Sequence, residues 1–595
     1  MTVSDFIIKR LDNWGINRIY GYPGDGINGL LGALGRSDQG IRFTQVRHEE
    51  MAAFMACAHA KFTGEVGVCL ATSGPGAIHL LNGLYDAKLD HQPVVAIVGQ
   101  TSRMAIGGTY QQEVDLPALF KDVAQEYVQM ITDPAQVRHV IDRAIRIAKA
   151  ERTVTCVIIP SDVQGLEAVE VPPHEHYSVH TGIGHPQSHI IPTDEALQQA
   201  ARILNTGNRV AILIGAGAQG AADEVSRVAG LLNAGIAKAL LGKSAISDDD
   251  PMVTGTIGFF GTTATEYMMR ECDTLLMVGT SFPYAEFLPK EGQARCVQID
   301  IDGRMLSLRY PVDVNLLGDS KETLRRLIPL LRQKGDREWK SKLQEKVSQW
   351  HQEQEVLALR TAKPLNPQFV FRVLSPLLPD NCILTADSGS TASWYARELK
   401  IREGMMASLS GNLASMGCAV PYAIAAKFAY PERTVIAFAG DGAMQMNGNE
   451  ELLTIAKYWK SWANPTIVIC VLNNRDLNMV TWEQRMMEGD AKLETTQVIP
   501  DFNYAAYAES LGFLGLRVES PGQVLEAWHQ ALASDRPVLV EAITDPEVSP
   551  FPEHVMIGTA GELASAVAKG DHAALQHTGH ILQRKIREKL DGNAN

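Results

Sequence analysis

The fold class of this chain is indicated by residues 434–443, Thr434-Val435-Ile436-Ala437-Phe438-Ala439-Gly440-Asp441-Gly442-Ala443. Its apolar first half predicts a buried strand, because strands of a parallel sheet are covered on both faces and contain continuous apolar runs. The Gly-Asp-Gly that follows predicts a tight turn into a helix, whose first backbone N–H groups favour an anion such as phosphate. Taken alone, such a turn is more often only a strand-to-helix connection.

Short runs rich in Val and Ile recur along the chain, at residues 66–71, 94–98, 210–214, 274–278 and 467–472. Each is followed by a glycine-containing turn and a stretch with helical spacing. This alternation predicts an α/β protein built from doubly wound parallel sheets. Residues 66–76 repeat the strand, turn and helix start of residues 434–443, so we expect two similar domains flanking a third.

Two proline-containing stretches of weak apolar periodicity, residues 171–192 and 353–367, interrupt this alternation. They are the predicted domain boundaries. The predicted organisation is an N-terminal domain at 1–170, a central domain at 190–335, a C-terminal domain at 365–545 and a tail at 546–595.

Composition excludes some classes of protein. The formal net charge of the 595 residues is −14, which disfavours a nucleic-acid-binding protein because phosphate backbones attract basic surfaces. The 8 cysteines are scattered without a CxxC pair, which indicates reduced thiols in a cytoplasmic protein. The first residues lack the pattern of a signal peptide, and no apolar run is long enough to cross a membrane.

A second strand, residues 465–472, ends in Asn473-Asn474. Because the carboxyl ends of parallel strands lie at one edge of the sheet, Asp441 and Asn474 are expected close together. With the main-chain carbonyl of Asp476 they would supply hard oxygen ligands for Mg²⁺, which a bound diphosphate would complete.

The Gly-Asp-Gly motif, followed one helix and one strand later by Asn-Asn, resembles the cofactor motif of the thiamine-diphosphate-dependent decarboxylase and oxidase superfamily. The resemblance covers nearly the whole chain and implies three doubly wound domains: pyrimidine-binding, central flavin-type and diphosphate-binding. In Arg47-His48-Glu49 it implies that Glu49 contacts the aminopyrimidine of the cofactor and relays a proton. On the residues alone, a glutamate at a helix start more commonly interacts with the helix dipole.

The same resemblance implies further contacts with the cofactor. Pro75, Gly76 and Asn82 would approach the pyrimidine, and Met416 would lie between the two rings of the cofactor. On the residues alone, a methionine at such a position more commonly packs in the protein core. The diphosphate contacts are then Gly389, Ser390, Thr391, Gly440, Asp441, Gly442, Ala443 and Asn474.

The central domain resembles the flavin-binding domain of pyruvate oxidases. Acetolactate synthases also keep a flavin there, with somewhat different motifs, and in simple decarboxylases the domain is empty. The implied FAD-binding residues are Gly215, Gly217, Gly242, Lys243, Gly279, Thr280, Phe282, Asp300, Ile301 and Asp319. A GxG pattern by itself is weak evidence for a dinucleotide.

The resemblance assigns catalytic roles to Glu49, Gln112 and Glu483. For Glu483 an exposed helix position is an equally good interpretation of the residues. Two positions depart from the family pattern: Gln111 stands where oxidases and acetolactate synthases usually have Phe, and Asn478 replaces a customary Gly. Both departures leave the identity of the 2-oxo acid open.

The activity implied is decarboxylation of a 2-oxo acid, pyruvate, with flavin-linked oxidation of the hydroxyethyl fragment, as in pyruvate oxidase, including its quinone-reducing form. The alternatives are a carboligase of the acetolactate synthase type, a non-oxidative 2-oxo acid decarboxylase and a non-catalytic relative. The implied cofactors are thiamine diphosphate, Mg²⁺ and FAD.

The two halves of the cofactor site lie in different domains, which by the resemblance implies a site shared between two subunits of a homodimer or homotetramer. Residues 581–590 form a basic amphipathic segment. Such a segment can lie on a membrane surface, which for a cytoplasmic protein is the inner face of the membrane. Docking of the segment on its own protein is the more common case.

Overall fold

The computed structural model describes residues 1–38, 40–186, 188–571 and 573–574. Within these residues, three six-stranded sheets form, and every pairing between their strands is parallel. The Val- and Ile-rich runs become the central strands, which are buried along their whole length. The predicted α/β fold with three doubly wound parallel sheets is therefore confirmed.

The first sheet has the strand order β2-β1-β3-β4-β6-β5. Its strands are β1 (Arg18–Gly21), β2 (Arg42–Gln45), β3 (Gly67–Ala71), β4 (Val94–Gln100), β5 (Val128–Met130) and β6 (Val154–Pro160). The helices of this domain are α1 (Val3–Asn13), α2 (Asn28–Arg36), α3 (Glu49–Thr63), α4 (Pro75–His79), α5 (Leu81–Leu89), α6 (Leu116–Phe120), α7 (Val137–Glu151) and α8 (Ser161–Gln164).

The central sheet has the order β12-β11-β10-β7-β8-β9. Its strands are β7 (Val210–Ile214), β8 (Gly235–Lys238), β9 (Val253–Thr256), β10 (Thr274–Val278), β11 (Arg295–Asp300) and β12 (Val314–Leu317). Its helices are α9 (Asp194–Thr206), α10 (Ala222–Leu232), α11 (Thr263–Glu271), α12 (Ser320–Leu327) and α13 (Glu338–Ala358). This is the strand order of the dinucleotide-binding fold, which binds ligands where the order reverses, here between β7 and β10.

The third sheet has the order β14-β13-β15-β16-β18-β17. Its strands are β13 (Ile383–Ala386), β14 (Met406–Leu409), β15 (Val435–Gly440), β16 (Ile467–Asn473), β17 (Leu514–Val518) and β18 (Val538–Ile543). The helices are α14 (Pro367–Leu374), α15 (Ser390–Glu398), α16 (Ala419–Ala429), α17 (Asp441–Ala443), α18 (Glu451–Tyr458), α19 (Asn478–Glu483), α20 (Glu494–Gln497), α21 (Tyr504–Ser510), α22 (Pro521–Leu532), α23 (Glu553–Gly558) and α24 (Ala560–Ala568).

The first and third sheets share one topology. In both, the order is second, first, third, fourth, sixth and fifth strand. The two segments whose sequences resemble each other, residues 66–76 and 434–443, form the third strand and the following turn in each sheet. The internal similarity in the sequence therefore corresponds to two equivalent domains.

The first and third domains share an apolar core in which helices α3 and α16 pack face to face. Both helices are rich in alanine, so their backbones approach closely, and residues 51–58 and 419–426 are almost fully buried. Three buried charged side chains lie in the same interface, Lys61, Asp86 and Asp90. Asp86 accepts a hydrogen bond from Tyr422 of the third domain. The first and third domains of one chain are therefore joined by a continuous buried core.

The 8 cysteines are buried free thiols. Across the described parts of the chain, none of the helices is both long and apolar enough to cross a bilayer. The predicted amphipathic segment 581–590 lies outside the described residues.

Candidate functional site

The Gly-Asp-Gly and Asn-Asn motifs meet at the carboxyl edge of the third sheet. Strands β15 and β16 pair with Gly440 opposite Leu472, so the residues after each strand are neighbours. The Asp441 carboxylate accepts hydrogen bonds from its neighbour Gly442 N (2.9 Å) and, across the strands, from Asn474 N (2.8 Å). The juxtaposition expected from the sequence is present.

Asp441 is a buried carboxylate. Burial raises its pKa to about 7, and the hydrogen bonds that it accepts from backbone N–H groups oppose this shift. Tyr504 donates to its main-chain oxygen at 3.1 Å and so fixes the start of α17. A buried carboxylate with a raised pKa is stabilised as an anion by a cation, so this group is suited to a metal ion.

The oxygens around Asp441 fit a magnesium diphosphate. The backbone of Asn474 contacts Asp441, and the Asn474 side-chain oxygen accepts a hydrogen bond from Asp476 N at 3.0 Å. The Asp476 carboxylate points elsewhere, since it accepts from Thr481 and pairs with Lys492. The main-chain carbonyl of Asp476 stays the predicted metal ligand of this residue. Carboxylate, amide and carbonyl oxygens form the hard ligand set that Mg²⁺ prefers.

The predicted diphosphate contacts line this edge. Gly389 has a φ of +84°, a left-handed conformation that favours glycine, and it begins the nine-residue helix α15 with Ser390. The Thr391 hydroxyl is used within the helix start, where it donates to Ser388 O at 3.2 Å. A Cβ on Gly440 would meet nothing within 4 Å, so this face of the turn is open. The turn is therefore unobstructed at Gly440, where the diphosphate is predicted to bind.

Met416 lies against the Gly-Asp-Gly turn. A Cβ built on Gly442 would lie 3.3 Å from Met416 Cε and 2.7 Å from Leu477 Cδ2. Gly442 is thus required for close packing of both side chains, and Met416 is placed where an apolar contact with a cofactor at the turn is possible.

Glu49 begins helix α3 in the first domain, with His48 as its N-cap residue. Its Oε2 lies 2.9 Å from His79 Nδ1, and the His79 ring stacks on that of His48 with 4.3 Å between centroids. A Cβ on Gly76 would lie 3.0 Å from Glu49 Oε1, so the glycine allows the carboxylate to approach the Ser-Gly-Pro-Gly turn. Sequence reasoning missed His79, although its position between Pro75 and Asn82 on one helical face was a usable signal.

Gln112 joins this first half of the site. Ser73 Oγ donates to Gln112 Oε1 at 3.2 Å, and a Cβ on Gly74 would lie 2.9 Å from the Gln112 Cβ. Gln111, the departure from the family pattern, is exposed in this chain. The turn after β3 thus brings Gln112 and Glu49 to the same edge of the first sheet.

One face of helices α4 and α5 is exposed, including Pro75, Ile78, His79 and Asn82. The Asn82 side chain already donates to Ser415 Oγ at 2.8 Å and to Glu50 Oε1 at 2.5 Å. It therefore links the first domain to the segment that carries Met416 rather than pointing free into solvent.

The central glycines gather at the strand-order reversal of the central sheet. Gly215 follows β7 and Gly279 follows β10, and Gly217 N donates to Gly279 O at 3.0 Å. A Cβ on Gly242 would lie 2.8 Å from Gly215 Cα. Because these turns pack backbone against backbone, only glycine fits, and Thr280 follows in the same turn.

Three other residues of the predicted flavin set belong to the next loops. Asp300 ends β11 and accepts from Asp302 N at 2.9 Å, while burial raises its pKa. Ile301 is exposed, and the Phe282 ring is buried beside Tyr284, with 5.6 Å between centroids.

The structure does not bring the side chains of Lys243 and Asp319 to the central glycines. Lys243 Nζ is buried and donates to Ala396 O of the third domain at 2.9 Å, and burial lowers its pKa to about 8. Asp319 caps helix α12 by accepting from Glu322 N at 2.9 Å. Lys243 thus joins two domains, a contact between residues far apart in the sequence.

Helix α19, directly after the Asn-Asn motif, faces the central domain. Glu483 is half-buried and burial raises its pKa. Burial also raises the pKa of Tyr284 in the central domain, and the charges of Glu286 and Glu483 raise it further. Met479 packs in an apolar cluster with Phe259 and Phe260 of the central domain. Glu483 therefore lies between the predicted metal edge and the predicted flavin domain.

Asn478, the second departure from the family pattern, is buried. Its Nδ2 donates to Pro546 O at 2.6 Å, and Trp482 Nε1 donates to the same oxygen at 3.1 Å. This side chain anchors the segment after β18 over helix α19, so its polar group is used in folding.

Asp387 is a further residue that sequence reasoning missed. It directly follows β13 and precedes Ser388-Gly389, and its Oδ1 accepts a hydrogen bond from Ala419 N at 3.0 Å. Burial raises its pKa to about 6. Its position directly after an apolar strand was the same signal that identified Asp441.

Comparison with known proteins agrees with this geometry. Family models for the thiamine pyrophosphate enzymes match in three parts: the N-terminal TPP binding domain at residues 1–119, the central domain at 197–327 and the C-terminal TPP binding domain at 387–542. The chain is 35% identical to a putative thiamine pyrophosphate-containing protein of Bacillus subtilis, over 94% of each chain.

Two further relatives differ in their described activity. A probable acetolactate synthase large subunit of Methanococcus aeolicus is 32% identical over 92% of each chain. A pyruvate oxidase of Lactiplantibacillus plantarum is 30% identical over 90% of this chain and 87% of its own. The identities are too similar to choose between oxidation and carboligation.

Proposed function

The chain belongs to the thiamine pyrophosphate enzyme family, and from this premise we propose that it decarboxylates a 2-oxo acid, pyruvate, with thiamine diphosphate and Mg²⁺, and oxidises the product with FAD. When bound, thiamine diphosphate supplies an electron sink for the loss of carbon dioxide, and FAD accepts two electrons. The residues of the chain bind these groups and move protons.

In this proposal, Asp441 and Asn474 hold the metal through hard oxygens, while the turn at Gly440 and the start of α15 receive the diphosphate. Glu49 holds a proton at the aminopyrimidine. His79 orients the Glu49 carboxylate through their 2.9 Å contact. Glu483, half-buried with a pKa raised by burial, is suited to exchange a proton near the substrate.

The observation that carries the oxidative step is the position of helix α19 against the central domain. The loop with Phe282 and Tyr284 follows β10, at the strand-order reversal where this fold binds ligands. Burial, Glu286 and then Glu483 raise the pKa of Tyr284, and Phe259 and Met479 pack against the same apolar cluster. A flavin at the reversal would thus lie on the side of the central domain that faces the reaction.

The second candidate is carboligation of the acetolactate synthase type, favoured by the relative that is 32% identical over 92% of each chain. The purified protein is incubated with pyruvate and an artificial electron acceptor, and both acceptor reduction and acetolactate are measured. Acceptor reduction with bound-flavin absorbance in the visible spectrum supports the oxidase. Acetolactate without acceptor reduction refutes it, and decarboxylation by a colourless protein identifies a simple decarboxylase.

We further propose that a second copy of the chain completes each site. The exposed face at Pro75, Ile78 and Asn82 adjoins Glu49, and on the third domain Met446 and Val480 are 63% and 50% exposed near the metal edge. Apolar side chains exposed around a site commonly mark a protein interface.

Mixing two inactive variants tests the shared site. Glu49→Gln and Asp441→Ala are each purified, unfolded and refolded together. Hybrids should recover about a quarter of the wild-type activity, because half of random dimers are hybrids and each hybrid has one intact site. No recovery from a mixture that refolds as well as wild type would place both residues in a site within one chain.

A further inference from the structure

The segment that carries Met416 has no helix or strand of its own. We name residues 410–417 the Met416 loop. The loop connects β14 to α16. It contains two left-handed residues, Ala414 at φ +55° and Gly417 at φ +86°. Its conformation therefore depends on contacts with neighbouring elements.

Asp90, directly after helix α5 of the first domain, makes the contacts at the start of the loop. Its Oδ2 accepts from Gly411 N and its Oδ1 from Asn412 N, both at 2.9 Å. Asn412 Nδ2 also donates to Asp90 Oδ1 at 2.8 Å. One buried carboxylate thus holds two consecutive backbone N–H groups of the loop.

Lys61 of helix α3 completes this arrangement. Its Nζ donates to Asp90 Oδ2 at 2.6 Å and to Leu409 O, the last residue of β14, at 2.8 Å. The side chains of Lys61 and Asp90 are only 4% and 1% exposed. A charged pair so well buried is stable only with its hydrogen bonds satisfied, so it enforces one geometry.

The end of the loop is held separately. Asn82 Nδ2 donates to Ser415 Oγ at 2.8 Å, and Asp387 Oδ1 accepts from Ala419 N at 3.0 Å. Met416 lies between the two held ends, against the Gly-Asp-Gly turn.

We propose that Asp90 is a positioning residue of the first domain that fixes the Met416 loop of the third domain, and that it thereby sets the affinity for thiamine diphosphate. The inference rests on the proposed function, in which Met416 contacts the cofactor. It assigns to the interface between the two domains a role in cofactor binding that neither domain has alone.

The direct test is amide hydrogen exchange of the full-length protein, in the peptide that covers residues 409–415. Asp90→Asn keeps the shape of the side chain but removes the charge and one of the acceptors. Exchange at Gly411 and Asn412 should become about 10- to 100-fold faster, the factor expected for losing a hydrogen bond to a charged group.

The matched control is Asp142→Asn. Asp142 is equally buried in the first domain and likewise accepts four hydrogen bonds, from Arg10 Nε and Nη2, Trp14 and Thr181. Its partners Arg10, Trp14 and Thr181 are different from Asn82 and Asp90, which hold the Met416 loop. Asp142→Asn should leave exchange in 409–415 at the wild-type rate.

The second measurement is the affinity for thiamine diphosphate at saturating Mg²⁺, followed by quenching of tryptophan fluorescence. Asp90→Asn should bind about tenfold more weakly, the lower end of the factor for the lost hydrogen bond, and Asp142→Asn should bind like wild type. Unchanged exchange in Asp90→Asn would overturn the contact. Faster exchange with unchanged affinity, or equal effects in both variants, would overturn the positioning role.

Failure of the proposed function gives a different result. If wild type does not bind thiamine diphosphate, the cofactor role of Asp90 is overturned together with the proposed function. The exchange experiment needs no cofactor, so it still decides whether Asp90 holds the loop.

Discussion

Adding a single methyl group at Gly442 should weaken cofactor binding. In Gly442→Ala the new Cβ would lie 2.7 Å from Leu477 Cδ2 and 3.3 Å from Met416 Cε. Since carbon atoms prefer separations of about 3.5–4.0 Å, the Leu477 methyl must withdraw by roughly 1 Å. The displaced atoms belong to flexible side chain ends, so the turn itself can fold without large strain.

The magnitude follows from this displacement. Forcing a side chain away from its preferred rotamer costs about 0.5–1.5 kcal/mol, and overpacking in general about 1–3 kcal/mol. Both Leu477 and Met416 line the proposed cofactor site, so we expect a loss of about 1–2 kcal/mol in cofactor binding. This corresponds to a dissociation constant about 5- to 30-fold higher.

The assay is a titration of the apoprotein with thiamine diphosphate at saturating Mg²⁺, with Gly522→Ala as control. A Cβ on Gly522, in the first turn of α22, would meet nothing within 4 Å. This control should bind like wild type and be at least as stable, because alanine favours a helix over glycine by up to about 1 kcal/mol. Binding by Gly442→Ala within twofold of wild type would refute the packing argument.

Three further variants address the proton relay, the metal and a buried acid. Glu49→Gln should lower kcat by about 10²- to 10⁴-fold, the usual contribution of acid–base catalysis, while the titration shows cofactor binding within a few-fold of wild type. Asp441→Asn should raise the Mg²⁺ concentration needed for cofactor binding by at least about tenfold, because a neutral amide attracts the ion less; an unchanged requirement in a Mg²⁺ titration would exclude Asp441 as a ligand. Burial raises the pKa of Glu451 to about 7, so its contribution to stability is present at pH 4 and is lost as the pH rises through 7. In Glu451→Gln the side-chain oxygen can still accept the hydrogen bond from Arg47 N, which is 2.8 Å long in the wild type. The melting temperature of the variant minus that of the wild type should therefore increase from pH 5 to pH 8. A difference that is the same at both pH values would contradict the raised pKa of Glu451.

The loops of the central domain show where sequence patterns reach their limit. The Gly215 and Gly279 turns were predictable because each glycine follows its own apolar strand, and parallel strands end at one edge. Lys243 follows the same kind of pattern, yet its Nζ bonds to Ala396 O, 153 residues away. A pattern within one segment does not indicate which distant backbone oxygen a long side chain will reach.

Three features were predictable from local sequence: the α/β class, the proximity of Asp441 to Asn474 and the equivalence of the outer domains. These depend on local patterns: apolar strands, the glycine turns that end them, and the common edge at which parallel strands finish.

The groups that hold the site in place are visible only in the folded chain. His79 beside Glu49 and Asp90 under the Met416 loop depend on contacts between segments 30 and 321 residues apart, and no local periodicity records them. His79 meets Glu49 because α4 packs against α3 within the first domain. Asp90 lies in the interface formed by α3 and α16, where hydrogen bonds between the two domains must satisfy its buried charge.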